Sequence, residues 1–300
     1  MVEVGTEPIR GHRITHYLGS GGFGQVWAAT APDGSPRALK FLDCRDKPAS
    51  TVAREVRMMR GLCELRHPRF IRLYDVCATA HYLVLSMERA DGTLYDLEAA
   101  YRQEGVRSIA PEHLLELFDQ AAEALDFLAG YRLPGQGLAA GGLQHCDIKP
   151  SNLLLVGDCL KVADFGLCSS TLRSGVRGFM GTVPYAAPEL HAGRASCRTD
   201  QFALAVTWCE LTAGDRLVIK PPSGRRHHPQ QGIPLDLSKV RDREYPVLAR
   251  ALDPRWTNRW PSCRDFLAEL RKAVQAPRSG VRRLPRRPAQ PSPAASPARP

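Results

Sequence analysis

The sequence predicts an α+β protein in which a small β-rich lobe precedes a larger, mainly helical lobe. Three observations carry this. Apolar or alternating runs crowd the first hundred residues, helical spacing dominates from residue 110 onward, and a glycine-rich segment near the start is flanked by strand-like sequence on both sides. A chain of 300 residues, 43% hydrophobic and 24% charged, is long enough to bury a core and to leave a ligand cleft between two lobes.

The elements follow in order. "HRITHYLG", "QVWAAT" and "RALKFL" read as three strands, with "APDGSP" supplying turn chemistry between the second and third. "TVAREVRMMRGLCEL" has helical spacing through Val52, Val56, Met59 and Leu62, and "FIRLYDV" and "HYLVLSM" are strand-like again. From "APEHLLELFDQAAEALDFLAG" onward helices dominate, apart from one compact hairpin in "LLLVGDCLKVADFG". No internal repeat is evident.

Composition narrows the function classes. The start, "MVEVGTEPIRGHRI", lacks a basic stretch leading into an apolar run, and no segment approaches the roughly 18 apolar residues that span a bilayer. A cytoplasmic protein without a membrane span is expected. Nine cysteines without a CxxC pair argue for reduced thiols rather than a zinc site or disulfide framework. The net charge is +10, but Arg278, Arg282, Arg283, Arg286, Arg287 and Arg299 follow Gln275 with no acidic residue, leaving +4 for residues 1–275. The excess therefore sits in a Pro/Arg-rich tail, 276–300, with almost nothing to bury and expected to be disordered. It is either a solvated stub or a basic arm making weak contacts with acidic surfaces.

"LGSGGFGQV" sets Gly19, Gly21 and Gly24 in a GxGxxG arrangement. A P-loop would place Lys and Ser or Thr after the last glycine, where Gln25 and Val26 stand. A dinucleotide-binding turn would open a helix, whereas "QVWAAT" is strand-like. What remains is a hairpin tip whose backbone N–H groups can approach a polyphosphate. The third strand then ends in Lys40, costly to bury without a charge partner, and the following helix carries Glu55.

In the hairpin, Gly157-Asp158 is a two-residue turn, so positions whose numbers sum to 315 stand opposite one another. Asn152 then faces Ala163, next to Asp164, bringing amide and carboxylate within about 5–8 Å. Such a pair can hold a hard cation, with Mg²⁺ favoured when phosphate oxygens complete its octahedron. Asp147 and Lys149, in "QHCDIKPSN", leave the same end of the hairpin. A Cys146–His145 nucleophile pair is badly posed, because neighbours in an extended segment point to opposite faces.

These residues resemble the protein kinase superfamily over roughly residues 10–272, most closely the eukaryotic-like Ser/Thr kinases of bacteria. "GSGGFGQV", "RALK", "HCDIKPSN", "ADFG", "GTVPYAAPE", "TDQFALAVTWCEL" and Arg259-Trp260 appear in that family's order. The resemblance implies a bilobal kinase-like catalytic domain, with an N-lobe of about 10–88 and a C-lobe of about 92–272, that transfers the γ-phosphoryl group of Mg-ATP to protein Ser/Thr hydroxyls. Gly19, Gly21 and Gly24 would cover the ATP phosphates, and Val26 and Ala38 would sandwich the adenine. Lys40 would hold the α/β-phosphates and pair with Glu55. Met87 resembles the gatekeeper, and Glu88 and Ala90 would offer hinge backbone groups. Asp147 would accept the substrate proton, Lys149 would offset charge on the moving phosphoryl group, and Asn152 and Asp164 would hold Mg²⁺. Glu189 with Arg259, and Asp200, resemble the family's structural braces.

Three departures stand out. Glu55 lies twelve positions before His67, farther than in most of the family; "GYRLPGQGLAAGGLQ" lengthens the approach to the catalytic loop; and Cys146 occupies the place where most relatives carry Arg. Without that Arg as a phosphate receptor, weak dependence on activation-segment phosphorylation at Ser169, Ser170, Thr171 or Ser174 is expected. The rival readings are a pseudokinase scaffold, which should have lost at least one of Lys40, Asp147, Asn152 and Asp164, and a nucleic-acid binder using the basic tail.

Overall fold

Residues 2–21, 24–132, 142–165, 181–217 and 235–276, with the backbone of 169–170, are described by the computed structural model. Nearly all of the Pro/Arg-rich tail, most of the glycine-rich approach, and Thr171 and Ser174 lie outside these residues.

Strands β1 (Arg13–Gly21), β2 (Gly24–Thr30) and β3 (Pro36–Asp43) form an antiparallel meander. Helix α1 (Ala49–Cys63) leads to β4 (Leu73–Ala78) and β5 (Tyr82–Glu88), completing a five-stranded sheet of order β1-β2-β3-β5-β4. The two-residue period of β3 sends Leu39 and Phe41 to one face, where they cluster with Ile14, Ala29 and Val84 under Ile9 of the N-terminal segment. Ala38 and Lys40 take the other face by the same alternation.

A short strand β6 (Gly92–Thr93) leads into α2 (Leu94–Gln103), a helix that the strand-dominated reading of the first hundred residues missed. Its signal was present in the sequence. Asp96 N–H donates to Thr93 Oγ1 at 3.1 Å and Thr93 N–H returns a bond to Asp96 Oδ2 at 2.8 Å, a reciprocal capping box. Helix α3 (Pro111–Gly130) starts on a proline, whose missing N–H costs nothing there, and buries Leu114, Phe118, Leu125 and Leu128.

Strand β7 (Leu143–Gln144) precedes the hairpin of β8 (Leu153–Val156) and β9 (Cys159–Val162), and pairs with β10 (Ser169–Ser170). The hairpin pairs Leu153 with Val162 and Val156 with Cys159, the register dictated by the turn at Gly157. Beyond it lie α4 (Pro188–His191), α5 (Thr199–Ala213), α6 (Tyr245–Ala251) and α7 (Cys263–Gln275). Helix α5 is buried on nearly every side, so it is apolar all round rather than amphipathic. It stops at Gly214, whose φ of 66° and close approach to the Arg107 carbonyl leave no room for a side chain. The result is a β-sheet lobe followed by a helical lobe, the bilobal α+β class expected of the sequence. No helix among the described residues is long and apolar enough to cross a membrane.

Candidate active site

The segment between β7 and β8 is fixed from beneath by α5. Asp200, at the start of that helix, accepts the backbone N–H of His145 at 2.6 Å and of Cys146 at 2.8 Å. Burial pushes the Asp200 carboxyl up, against the two N–H bonds, which pull it the other way. This grip holds Cys146 at a φ of 67°, a left-handed conformation that residues with side chains seldom adopt. His145, fully buried, donates from Nε2 to the Ala163 carbonyl at 2.8 Å and accepts the Asp147 N–H at Nδ1 (3.3 Å), so one neutral tautomer serves both bonds.

The left-handed kink turns Asp147 into a dense polar cluster. Its side chain is almost wholly buried, with Lys149 Nζ 2.8 Å from Oδ2 and the Thr182 hydroxyl donating to Oδ1 at 2.7 Å. Lys149 also donates to Thr182 Oγ1 at 2.7 Å, closing a triangle. Asn152 Nδ2 donates to the Asp147 carbonyl at 2.7 Å and to Oδ2 at 3.0 Å. A buried carboxylate can be held ionised only by such charge-assisted bonds.

The hairpin brings in the second carboxylate. Ala163 N–H donates to the Asn152 carbonyl at 3.0 Å, and the next residue, Asp164, has a φ of 69°. Its Oδ2 lies 2.6 Å from Lys40 Nζ, with both side chains largely shielded. Burial pushes the Asp164 carboxyl up, but the Lys40 ammonium beside it, with Lys149 farther off, holds it below the usual carboxylate range. Phe165 packs edge-on against Phe70 at 5.2 Å and against His145 at 5.4 Å, tying the end of the hairpin to the loop after α1.

Above this cluster, Val26 pairs with Lys40 and Ala38 with Ala28 across β2 and β3, so Val26 and Ala38 share the sheet face of Lys40. Gly19 and Gly21 have open space where a side chain would project, whereas a Cβ at Gly24 would strike the Phe41 carbonyl. Glu88 ends β5. Its N–H donates to the Arg72 carbonyl at 2.8 Å and its carboxylate takes Lys161 Nζ at 2.6 Å. Ala90, two residues on, is half-buried in the connection between the lobes.

Glu55 is placed otherwise than the sequence led us to expect. Its carboxylate is 2.9 Å from Lys47 Nζ, while Lys40 is engaged by Asp164. Lys47 sits in the loop just ahead of α1, on the same side as Glu55 and half in solvent, and reaches it without desolvating either group fully. Sequence order alone could not separate two lysines seven residues apart. Farther out, Arg259 clamps Glu189 through Nη1 and Nη2, both at 2.8 Å.

The donors suit a hard cation. Asn152 spends its amide N–H groups on Asp147, which leaves Oδ1 as the atom that can face a metal, and Asp164 supplies one carboxylate beside it. An amide oxygen and a carboxylate are hard donors of the kind Mg²⁺ takes from protein, with phosphate or water as its remaining partners.

A glycine-tipped sheet over a helical lobe, with Asp147, Asn152 and Asp164 gathered where β8 and β9 open, defines the bilobal kinase fold. The family model described as "Protein kinase domain" matches residues 12–288, and the chain belongs to that family. It is similar to CBL-interacting protein kinase 4 of Oryza sativa subsp. japonica, with 33% identity over 266 residues, covering 83% of this chain and 55% of the relative. It is also similar to the serine/threonine-protein kinase PknF of Mycobacterium tuberculosis, at 29% identity over 287 residues, covering 87% of this chain and 56% of PknF. The chain thus spans little more than half the length of these relatives. The crystal structure of the M. tuberculosis PknI kinase domain superposes with a TM-score of 0.69 at 25% identity, covering 92% of this chain and all of that one.

Proposed function

We propose that this chain is a serine/threonine protein kinase, transferring the γ-phosphoryl group of ATP to hydroxyl groups of protein substrates, with residues 10–272 as the catalytic domain. The observation that carries the reading is the cluster in which Lys149, Thr182 and Asn152 all converge on the buried Asp147 carboxylate. A substrate Ser or Thr hydroxyl would take the place of Thr182 Oγ1 on Asp147, which orients it and receives its proton. Lys149, already 2.8 Å from that carboxylate, would follow the charge that moves onto the transferred group.

Gly19, Gly21 and Gly24 would cover the phosphates, Val26 and Ala38 would enclose the adenine, and Lys40 would bind the α/β-phosphates. The Glu88 N–H is committed to Arg72, so an adenine contact from Glu88 falls to its carbonyl, with Ala90 as the next backbone partner. Asn152 and Asp164 would hold Mg²⁺, which would supply positive charge to offset that of the phosphates. Each residue contributes position and charge rather than covalent chemistry, which is the usual division of labour in phosphoryl transfer.

Lys149 in "DIKPSN" and Thr182 in "GTVPY" resemble the family's Ser/Thr-specific pattern, which supports Ser/Thr over Tyr as acceptor. One relative at 29% identity, from Arabidopsis thaliana, is named PTI1-like tyrosine-protein kinase 2, so acceptor type needs its own readout. Incubation of the purified chain with Mg²⁺ and γ-labelled ATP, followed by phosphoamino-acid analysis of the chain and of a basic protein substrate, tests the whole reading. Phosphoserine or phosphothreonine that disappears with Asp147→Asn supports it. ATP binding without any transfer overturns it in favour of a binding-only scaffold.

A further inference from the structure

A second recess lies where the loop after α1, strand β4, the end of β5 and strand β9 meet, with a volume of about 270 Å³. Three cationic side chains line it, Arg66, Arg72 and Lys161, against a single carboxylate, Glu88. That carboxylate is already spent. Lys161 Nζ is 2.6 Å from Glu88 Oε1, and the Arg72 backbone N–H donates to Oε2 at 3.1 Å. The two guanidinium groups have no such relief. Among the described residues neither meets a carboxylate: Arg66 donates to the Cys63 carbonyl, and Arg72 lies 4.8 Å from the centre of the Tyr74 ring. The opening therefore presents two positive charges beyond its internal pair. His67, at the rim, adds none at neutral pH, because burial lowers its pKa even though Glu123 stands 3.7 Å away.

Two aromatic rings, Phe70 and Tyr74, stand among these charges. Phe70 is buried beneath the recess, and the Tyr74 ring is braced by Arg37, 3.9 Å from its centre. Guanidinium forks recognise planar carboxylates in two-point fashion. A nucleic-acid strand fits less well. It needs a continuous cationic track, and here Glu88 inside the recess, Glu123 beside His67, and the exposed Glu64 and Asp75, next in sequence to lining residues, set carboxylates among the cations. The volume likewise suits one or two side chains rather than a run of nucleotides.

We propose that this recess is a docking site for an acidic segment of a protein partner, gripped by Arg66 and Arg72 beside Tyr74. Its elements lead directly into the active site: β9 reaches Asp164 three residues after Lys161, and β5 ends at Glu88. A segment held here would concentrate the rest of its protein near the site without occupying it. The proposal does not depend on phosphotransfer, because binding alone tests it.

The test is fluorescence anisotropy on the full 300-residue chain with a labelled hexapeptide, Glu-Glu-Leu-Phe-Glu-Asp, and its Gln/Asn counterpart. The acidic peptide should bind saturably, and the neutral one at least about tenfold more weakly, given the strength of bidentate charge-assisted bonds. Arg66→Glu with Arg72→Glu should weaken the acidic peptide at least about tenfold while the melting temperature and autophosphorylation stay at wild-type levels. Arg10→Glu with Arg255→Glu, equal in charge and elsewhere on the surface, should leave binding unchanged. Absence of saturable binding overturns the proposal. So does equal loss in both double variants, which would mean general basicity. Displacement of the peptide by oligothymidylate that is itself lost in the Arg66/Arg72 variant would make the recess a nucleic-acid site and overturn it too.

Discussion

Lys40 Nζ and Asp164 Oδ2 stand 2.6 Å apart, joining the end of β3 to the open end of the β8–β9 hairpin. On the proposed reading each stands in the place of the other's ligand, the ammonium where a metal cation would meet Asp164 and the carboxylate where phosphate would meet Lys40. Under that reading, a bound metal–nucleotide pair would exchange this one contact for two. Asp164→Ala should therefore lower phosphotransfer by roughly three orders of magnitude or more, the scale at which single electrostatic groups act in preorganised sites. Single-turnover transfer from labelled ATP checks it, and a variant with full activity would remove Asp164 from the metal site.

The Lys47–Glu55 pair predicts an effect of opposite sign. If Glu55 joins Lys40 when phosphates are bound, Lys47 competes with that state. A partly exposed pair is worth at most about 1 kcal/mol, so Lys47→Ala should raise kcat/KM by no more than about fivefold. Glu55→Gln should lower it. A Lys47→Ala enzyme with reduced activity and an unchanged melting temperature would show that Lys47 supports the site.

Stability should depend on acid through Glu189. Burial raises its carboxyl pKa, but the hydrogen bonds and charge of Arg259 outweigh burial and bring it below its ordinary value of 4.5. A depressed folded-state pKa contributes stability that is complete above the unfolded value and is lost as pH falls through the folded one. Thermal melts should thus decline below about pH 4.5, and Glu189→Gln should flatten that decline. Arg259→Ala, which strands a buried carboxylate, should cost about 3–5 kcal/mol.

Cys146 predicts resistance to both thiol chemistry and dephosphorylation. Its side chain is 3% exposed and packs with Ala186, Leu190 and Ala195, a pocket that would strain to admit an arginine. Among the described cysteines Cys197 is the exposed one and should react first with a thiol reagent, leaving activity intact. Cys146→Ser should remain active. Phosphatase treatment should leave most of the activity in place, and its abolition would mean that another cation receives a phosphate from the activation segment.

Much of the scaffold was legible because its causes are local. The five strands of the sheet and helix α1 were written in runs of period 2 and 3.6, and the turn at Gly157-Asp158 set the hairpin register that brings Asn152 to Ala163. Helix α2 was legible too, in the Thr93 and Asp96 cap, but its sequence was taken for part of the strand-rich region.

The sequence by itself determined the α+β order of elements, the kinase-like motifs and the short segment that carries Asp147, Lys149 and Asn152. Tertiary structure alone decided which charges meet. Asp200 seizes two N–H groups more than fifty residues away, Glu55 takes Lys47 while Lys40 takes Asp164, and residues from four elements enclose the recess beside Glu88. The physical reason is range. Propensity and periodicity act over a few neighbours along the chain, whereas an ion pair depends on the last few ångströms between side chains and on how much water is left between them.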